Sequence, residues 1–114
     1  MRNGISVVTT EGIITRMIRH ILLVTFKQGI TETEIKSTKK GFLDIPSKIP
    51  GISSVEWGVN DSPEGKNSGF THSVLMTFEN EAIRSEYLDH PEHVALKNIF
   101  RPFVDKIIVF DYSI

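Results

Sequence analysis

The segment from Tyr87 to His93 carries the side chains best suited to acid–base chemistry. It reads Tyr87-Leu88-Asp89-His90-Pro91-Glu92-His93. Proline is favoured at the first position of a helix, so Pro91 predicts a helix start with His90 near the N-cap and His93 in the first turn. The helix dipole disfavours an imidazolium there, and a neutral imidazole near pH 7 can act as a general base. Tyr87 can polarise a carbonyl group or stabilise an oxyanion.

Both side chains also have a purely structural interpretation. His93 can simply hydrogen-bond the first turn of its helix or the side chain of Tyr87. A buried tyrosine at a helix end often anchors a core while its hydroxyl group is satisfied by a neighbour. The sequence leaves both interpretations open.

Two further histidines lie in apolar rows of predicted strands, His20 in the first strand and His72 in the third. A histidine between apolar residues needs a polar partner, so the two indicate either a pocket or a satisfied pair in the core. We predict the pocket, with His20 and His72 at matching positions of neighbouring strands. Tyr87 and His93 are expected to face the same cavity, which lies between the sheet and the helices.

The spacing of the histidines does not predict a metal centre. His90 and His93 are three residues apart, and no HExxH motif or carboxylate-rich triad surrounds them. The glycines form no phosphate-binding motif, and no serine lies in a nucleophile elbow. We expect no metal site and no cofactor, whereas a Mg²⁺ or Na⁺ ion held by backbone carbonyl groups near residues 46–52 would leave no sequence signature.

Composition sets the class of protein and the partners to expect. The chain has 114 residues, 39% hydrophobic and 24% charged, which predicts one globular domain. A net charge of −1 without a basic stripe argues against nucleic acid and anionic membranes as partners. The absence of cysteine excludes disulfides, thiolate metal sites and a cysteine nucleophile. No apolar run approaches the ~20 residues of a membrane span, and a cytoplasmic location is expected.

The helices and strands that must position these residues are predicted from the periodicity of apolar residues and from the residues that begin or end each element. Thr31 with Glu34 forms a capping box that opens the first helix, and Pro46 ends or bends that helix. Strands are predicted over 18–26, 52–59, 70–78 and 107–112, and the later helices over about 79–88 and 91–104. The order β-α-β-β-α-α-β predicts an α+β fold of the ferredoxin-like type, a four-stranded antiparallel sheet with helices on one face.

The first and fourth strands predict a second copy of the chain. Both are apolar on both faces, and one helix layer covers only one face of the sheet. A homodimer that packs sheet against sheet would cover the other face, giving a dimeric α+β barrel.

Two segments stand outside these elements. Residues 1–16 are predicted to be an N-terminal extension, with residues 17–114 as the domain. The extension holds two β-prone pieces around Gly12, which can form a hairpin or arm. Either Met17 is the biological start, or the extension packs on a partner. Residues 60–69 form a long polar hairpin loop, which is either simply mobile or a lid over a pocket.

Residues 17–112 also resemble the stress-responsive A/B-barrel (Dabb) family. The matching pieces, in order, are Ile18–Phe26, Ile49-Pro50-Gly51-Ile52, Val55-Glu56-Trp57-Gly58, Thr71-His72, Thr77-Phe78-Glu79, Tyr87–Val94 and Val109-Phe110-Asp111-Tyr112. The resemblance implies a dimeric α+β barrel. Family members include plant stress-induced proteins and a plant polyketide cyclase.

The resemblance also implies roles for five residues. In the cyclase, a tyrosine and the second histidine of the "HP.H" motif carry an aldol-type ring closure, and these positions match Tyr87 and His93. The strand histidines that line its pocket match His20 and His72, and Phe42 stands where the cyclase has a tyrosine. The implied site therefore has Tyr87 and His93 as catalytic residues and the other three as substrate-binding residues.

Three functions are consistent with the sequence. The first, which we expect, is a stress-associated dimer that binds a small apolar or carbonyl-containing molecule in a His/Tyr-lined pocket. The second is a cofactor-free acid–base enzyme of the cyclase or aldol type. The third is a structural scaffold with no ligand. A converging His/Tyr set around a cavity separates the first two from the third, and pH-dependent turnover separates the second from the first.

Overall fold

The computed structural model describes residues 6–8 and 14–114. Its elements are β1 (Ser6–Val8), β2 (Ile14–Arg16), β3 (Ile18–Phe26), α1 (Glu32–Asp44), β4 (Ile52–Val59), β5 (His72–Phe78), α2 (Glu81–Asp89), α3 (Pro91–Phe100) and β6 (Val104–Ser113), with 3₁₀ turns at Ile45–Ser47 and Arg101–Phe103. The main sheet has the order β4-β5-β3-β6, and every neighbouring pair of strands is antiparallel. This is the predicted ferredoxin-like α+β arrangement.

Several predicted boundaries are confirmed. β3 and β4 have the predicted ends. The first helix opens with the predicted capping box, in which the Glu34 backbone N–H donates to Thr31 Oγ1 and the Thr31 N–H donates to the Glu34 carboxylate, each at 3.1 Å. α3 begins at Pro91 with His90 as its N-cap. Local sequence signals are therefore sufficient to define these element ends.

Several boundaries differ from the prediction. α3 ends at Phe100 rather than near residue 104, because Pro102 has no backbone N–H to continue the helix. β5 begins at His72 rather than residue 70, because residues 67–70 close a turn in which Gly69 has a φ of +82°. β6 is longer than predicted, because it pairs with β3 over the whole length of that strand, from Phe26 to Ile18.

The N-terminal extension contains the small hairpin that the sequence suggested. Ser6 pairs with Arg16 and Val8 with Ile14 in an antiparallel ladder. Residues 1–5 and 9–13 of the extension lie outside the described residues. Whether the extension packs on a partner stays a prediction.

The two faces of the sheet differ in how well they are covered. The even-numbered residues of β3 from Ile18 to Val24 are buried under the helices, whereas Ile21 and Leu23 on the opposite face are only partly buried. The core lies between the sheet and the helices, and its buried members are Ile18, Leu22, Phe42, Ile45, Ile49, Ile52, Val74, Met76, Phe78, Tyr87, Leu96 and Phe100. One sheet face therefore remains open, and it is apolar along β3 and β6. Within the described ranges, no helix is long and apolar enough to cross a membrane.

Trp57 on β4 is held by packing. Its ring lies 6.4 Å from that of Phe42 and 5.5 Å from that of His72, and it packs partly buried against the core. We expect Trp57→Phe to lower the free energy of unfolding by ~1–2 kcal/mol, because the smaller ring leaves a void against Phe42. Urea denaturation of the two proteins measures the change, and coincident unfolding curves would contradict the prediction.

Candidate functional site

The corner between α2 and α3 positions the candidate catalytic side chains. His90 has an extended backbone (φ −70°, ψ 138°), and its N–H donates to the Tyr87 carbonyl at 3.1 Å, which closes α2. The His90 Nδ1 atom then accepts a hydrogen bond from the Glu92 N–H at 3.0 Å, which opens α3. Because Pro91 needs no hydrogen bond at the first helical position, the chain turns sharply. This turn brings His93 back over Tyr87.

Tyr87 and His93 form a ring stack. Their ring centroids are 4.0 Å apart with planes inclined by 25°. Tyr87 is almost fully buried, whereas His93 is partly exposed. Both side chains line the same pocket, which has a volume of about 260 Å³. The two side chains therefore lie together at one cavity and contact each other through their rings, and their catalytic roles stay a prediction.

The hydrogen bond of His93 defines its tautomer. Its Nδ1 atom lies 3.2 Å from the carbonyl oxygen of Leu88, which can only accept, so Nδ1 carries the proton. The Nε2 atom then holds a free lone pair. Burial lowers the pKa of His93 below its ordinary 6.5, and the Lys97 charge contributes in the same direction. His93 is therefore neutral at neutral pH and can accept a proton at Nε2.

The pKa of Tyr87 shifts upward, in the direction opposite to that of His93. Burial raises the pKa of its phenol well above the ordinary value of 10. The phenol therefore stays protonated across the physiological range and acts as a hydrogen-bond donor. A protonated phenol beside a neutral imidazole is a suitable pair for binding or enolising a carbonyl compound.

His20 lies in the same pocket and has a fixed orientation. Its ring is 6.0 Å from that of Tyr87 in an edge-on arrangement. Its Nδ1 atom lies 2.7 Å from Asp111 Oδ1, directly across from it on β6. The second oxygen of Asp111 accepts a hydrogen bond from Arg84 at 3.2 Å. A carboxylate held between a histidine and an arginine fixes the orientation of the imidazole ring.

The rest of the pocket is largely apolar. Phe42 forms part of its wall, with its ring 5.1 Å from that of Phe100. The lining residues are His20, Leu22, Phe42, Tyr87, Leu88, His93, Lys97, Phe100, Arg101, Ile107 and Val109. An apolar cavity with a few convergent polar groups is the usual form of a small-molecule site. Four of the five predicted site residues are therefore together.

His72 is the exception. The strand register pairs His20 with Met76 and His72 with Val24, so the prediction that the two histidines occupy matching positions is wrong. The offset is four residues, or ~13 Å along the strand. His72 packs edge-on against Phe26 at 5.0 Å and lines a separate pocket of about 360 Å³, together with Lys66, Asn67 and Ser68 of the hairpin loop. Burial lowers the pKa of His72.

Four side chains of this site were not identified from the sequence: Asp111, Arg84, Lys97 and Arg101. Asp111 did leave a signal, because it is the acidic residue that alternates with Ile107 and Val109 on one face of an apolar strand. The two pocket cations look in the sequence like ordinary charges of a helix surface. Across the described part of the chain, no three His, Asp or Glu side chains are grouped as metal ligands.

The fold is a ferredoxin-like α+β domain in which His20, Tyr87 and His93 line one cavity beside the α2–α3 corner. The profile of the stress-responsive A/B barrel domain (Dabb) matches residues 18–114, and the chain belongs to this family.

Three similar proteins place the chain within the family. Olivetolic acid cyclase from Cannabis sativa is 32% identical over 96 residues, which cover 84% of this chain and 95% of the cyclase. The crystal structure of At3g17210 from Arabidopsis thaliana is 35% identical with a TM-score of 0.80, covering 83% of this chain and 92% of that one. A ferredoxin-like protein of unknown function from Bacteroides fragilis, described as dimeric, is 26% identical with a TM-score of 0.71, covering 86% and 96%.

Proposed function

We propose that this protein binds a small apolar or carbonyl-containing molecule in the pocket at the α2–α3 corner. The observation that carries the proposal is the convergence of Tyr87, His93 and His20 on one apolar cavity. A satisfied core pair would not need a cavity, whereas these groups surround one of about 260 Å³. The volume lies just under the ~300 Å³ at which pockets for drug-sized ligands begin, which favours a small ligand.

The geometry also favours a second candidate, cofactor-free acid–base catalysis. His93 Nε2 would remove a proton from the carbon next to a carbonyl group, and the Tyr87 hydroxyl would donate a hydrogen bond to the oxygen as negative charge develops. The lowered pKa of His93 and the raised pKa of Tyr87 support these assignments. The similarity to olivetolic acid cyclase across most of both chains supports the same chemistry.

We also propose that the protein is a homodimer packed through its open sheet face. Ile108, Phe110 and Tyr112 of β6 are between 43% and 62% exposed on this face. Large apolar side chains grouped in this way usually mark an interface. The Bacteroides fragilis protein, which is described as dimeric, supports a dimer. A cytoplasmic location and the lack of nucleic-acid or membrane partners stay predictions from composition.

The function is tested with 4-phenylbutan-2-one, a small aromatic ketone, in deuterated buffer. We expect the protein to bind it and to speed exchange of its α-protons for deuterium, measured by NMR. His93→Gln should abolish the exchange, and Tyr87→Phe should lower it by about 10²–10³-fold, as for loss of one oxyanion donor. Because the His93 pKa is lowered from 6.5, exchange should persist at pH 6.5 and fall only as the pH drops through the lowered pKa.

Val94→Gln is the matched control, because Val94 follows His93 on α3 but is 45% exposed and does not line the pocket. It should leave binding and exchange unchanged. Binding without exchange would support the binding function over the enzyme. Absence of binding, together with no small molecule detected by mass spectrometry of the purified protein, would favour the scaffold.

A further inference from the structure

A row of three basic side chains from α3 and the turn that follows it borders the pocket. His93, Lys97 and Arg101 are spaced four residues apart, which places their side chains in one row along the helix and the turn that follows it. All three line the pocket. Lys97 is partly buried, and Arg101 is exposed at the rim. The row therefore runs from the candidate base to the solvent.

Lys97 and Arg101 have no acidic partner within the part of the chain that the structure describes. Among the described residues, no ion pair involves Lys97 or Arg101, and no carboxylate lines the pocket. Asp111 lies behind His20 and is occupied by His20 and Arg84, and Glu92 faces Lys48 at 3.7 Å. Lys97 lies in the last turn of α3 and Arg101 is its C-cap, so an anion beside them would supply the counter-charge that the described residues lack.

Lys97 lies one helical turn beyond His93 and lines the same pocket. Burial is the main cause of the lowered pKa of His93, and the Lys97 charge contributes in the same direction. The opposite wall of the pocket is apolar, with Leu22 and Phe42 from the core and Ile107 and Val109 from β6. The cavity therefore has one charged side and one apolar side.

We propose that the pocket is built for a small organic anion, with an apolar body and a carboxylate or phosphate head group held by Lys97 and Arg101. The inference rests on the proposed binding function and specifies its ligand class. The head group would lie against the α3 row, and the body would lie against the apolar wall. In this position a carbonyl group between head and body would lie next to His93 and Tyr87.

Three probes of one shape test the ligand class by calorimetry: 3-phenylpropanoate, 3-phenylpropyl phosphate and the neutral 3-phenylpropanamide. We expect the protein to bind one or both anions more tightly than the amide. Lys97→Met should weaken anion binding by about tenfold, the size of a charge-assisted hydrogen bond, and should leave amide binding unchanged. Lys97→Arg should restore anion binding. The anion that loses more affinity identifies the head group.

Lys39→Met is the control, because Lys39 is an exposed lysine on α1 and does not line the pocket. Equal binding of the anions and the amide, or equal loss of both in Lys97→Met, overturns the inference but leaves the binding function standing. Failure of all three probes to bind overturns the binding function and the inference with it. If Lys97 only stabilises the end of α3, Lys97→Met lowers the thermal midpoint without changing the ratio of anion to amide affinity, and the inference fails.

Discussion

Phe110→Asp is expected to convert the protein from a dimer to a monomer. Phe110 is 62% exposed on the open sheet face, where β-sheet pairing places it on the edge strand β6 directly across from Ile21 of β3. In a twofold dimer the substitution is present in both protomers, so two negative charges would enter the apolar interface. An unpaired buried charge is destabilising by several kcal/mol, enough to dissociate an interface of standard size.

Light scattering coupled to size exclusion at micromolar concentration measures the effect. Leu43→Asp is the matched control, because Leu43 is 43% exposed but lies on α1, on the helix side of the sheet. The control should remain a dimer with the mass of the wild type. A wild-type protein that runs as a monomer would contradict the proposed assembly, as would a Phe110→Asp variant that remains a dimer.

The fold could be predicted because its signals are local. The Thr31–Glu34 capping box and the Pro91 helix start each depend on residues within one turn of the chain. The alternation in β3 shows which residues face the helices, and the buried residues from Ile18 to Val24 follow it. The predicted end of α3 was wrong. The helix ends early because Pro102, one position beyond the last helical hydrogen bond, has no backbone N–H.

The candidate site could be predicted only in part. The alternation of residues along a strand shows which face of the sheet a side chain is on, but not where it lies along the strand direction relative to residues of other strands. His20 and His72 both lie on the helix side of the sheet, as expected from alternation. The antiparallel register, however, places His72 across from Val24, at the other end of the sheet from the α2–α3 corner. Register depends on the lengths of the α1 connection and of the 60–69 loop, which the histidine spacing does not encode.

The contact between His20 and Asp111 could be predicted only with knowledge of the strand order. The contact with Asp111 joins residues 91 positions apart, and it exists because β6 lies at the sheet edge beside β3. Once the strand order is known, the pairing of His20 with Asp111 follows from the register. An acidic residue on the buried face of an edge strand is thus the sequence signal that identifies this network, because such a carboxylate needs a partner.

Asp111→Asn is expected to destabilise the protein by about 2–3 kcal/mol, which lies between the loss of one charge-assisted hydrogen bond and the breaking of a fully buried ion pair. The His20 side chain is only 7% exposed and that of Asp111 22%, so water compensates little. An asparagine has one accepting oxygen, so it can accept from either His20 or Arg84, and it cannot neutralise the Arg84 charge. The variant should also release the His20 ring from its fixed orientation.

Urea denaturation measures the loss, and ¹⁵N NMR of the imidazole reports the His20 tautomer directly. Arg84→Met is the comparison, because it removes the outer contact at 3.2 Å and leaves the His20–Asp111 contact at 2.7 Å intact. It should lower stability by only about 1 kcal/mol, because the arginine side chain is 27% exposed and its charge is partly screened. The range typical of surface substitutions is about ±0.5 kcal/mol. If the free energy of unfolding of Asp111→Asn lies within that range of the wild-type value, the carboxylate does not hold His20. The orientation of that histidine would then come from its ring contacts with Phe78 and Tyr87, at 5.5 and 6.0 Å.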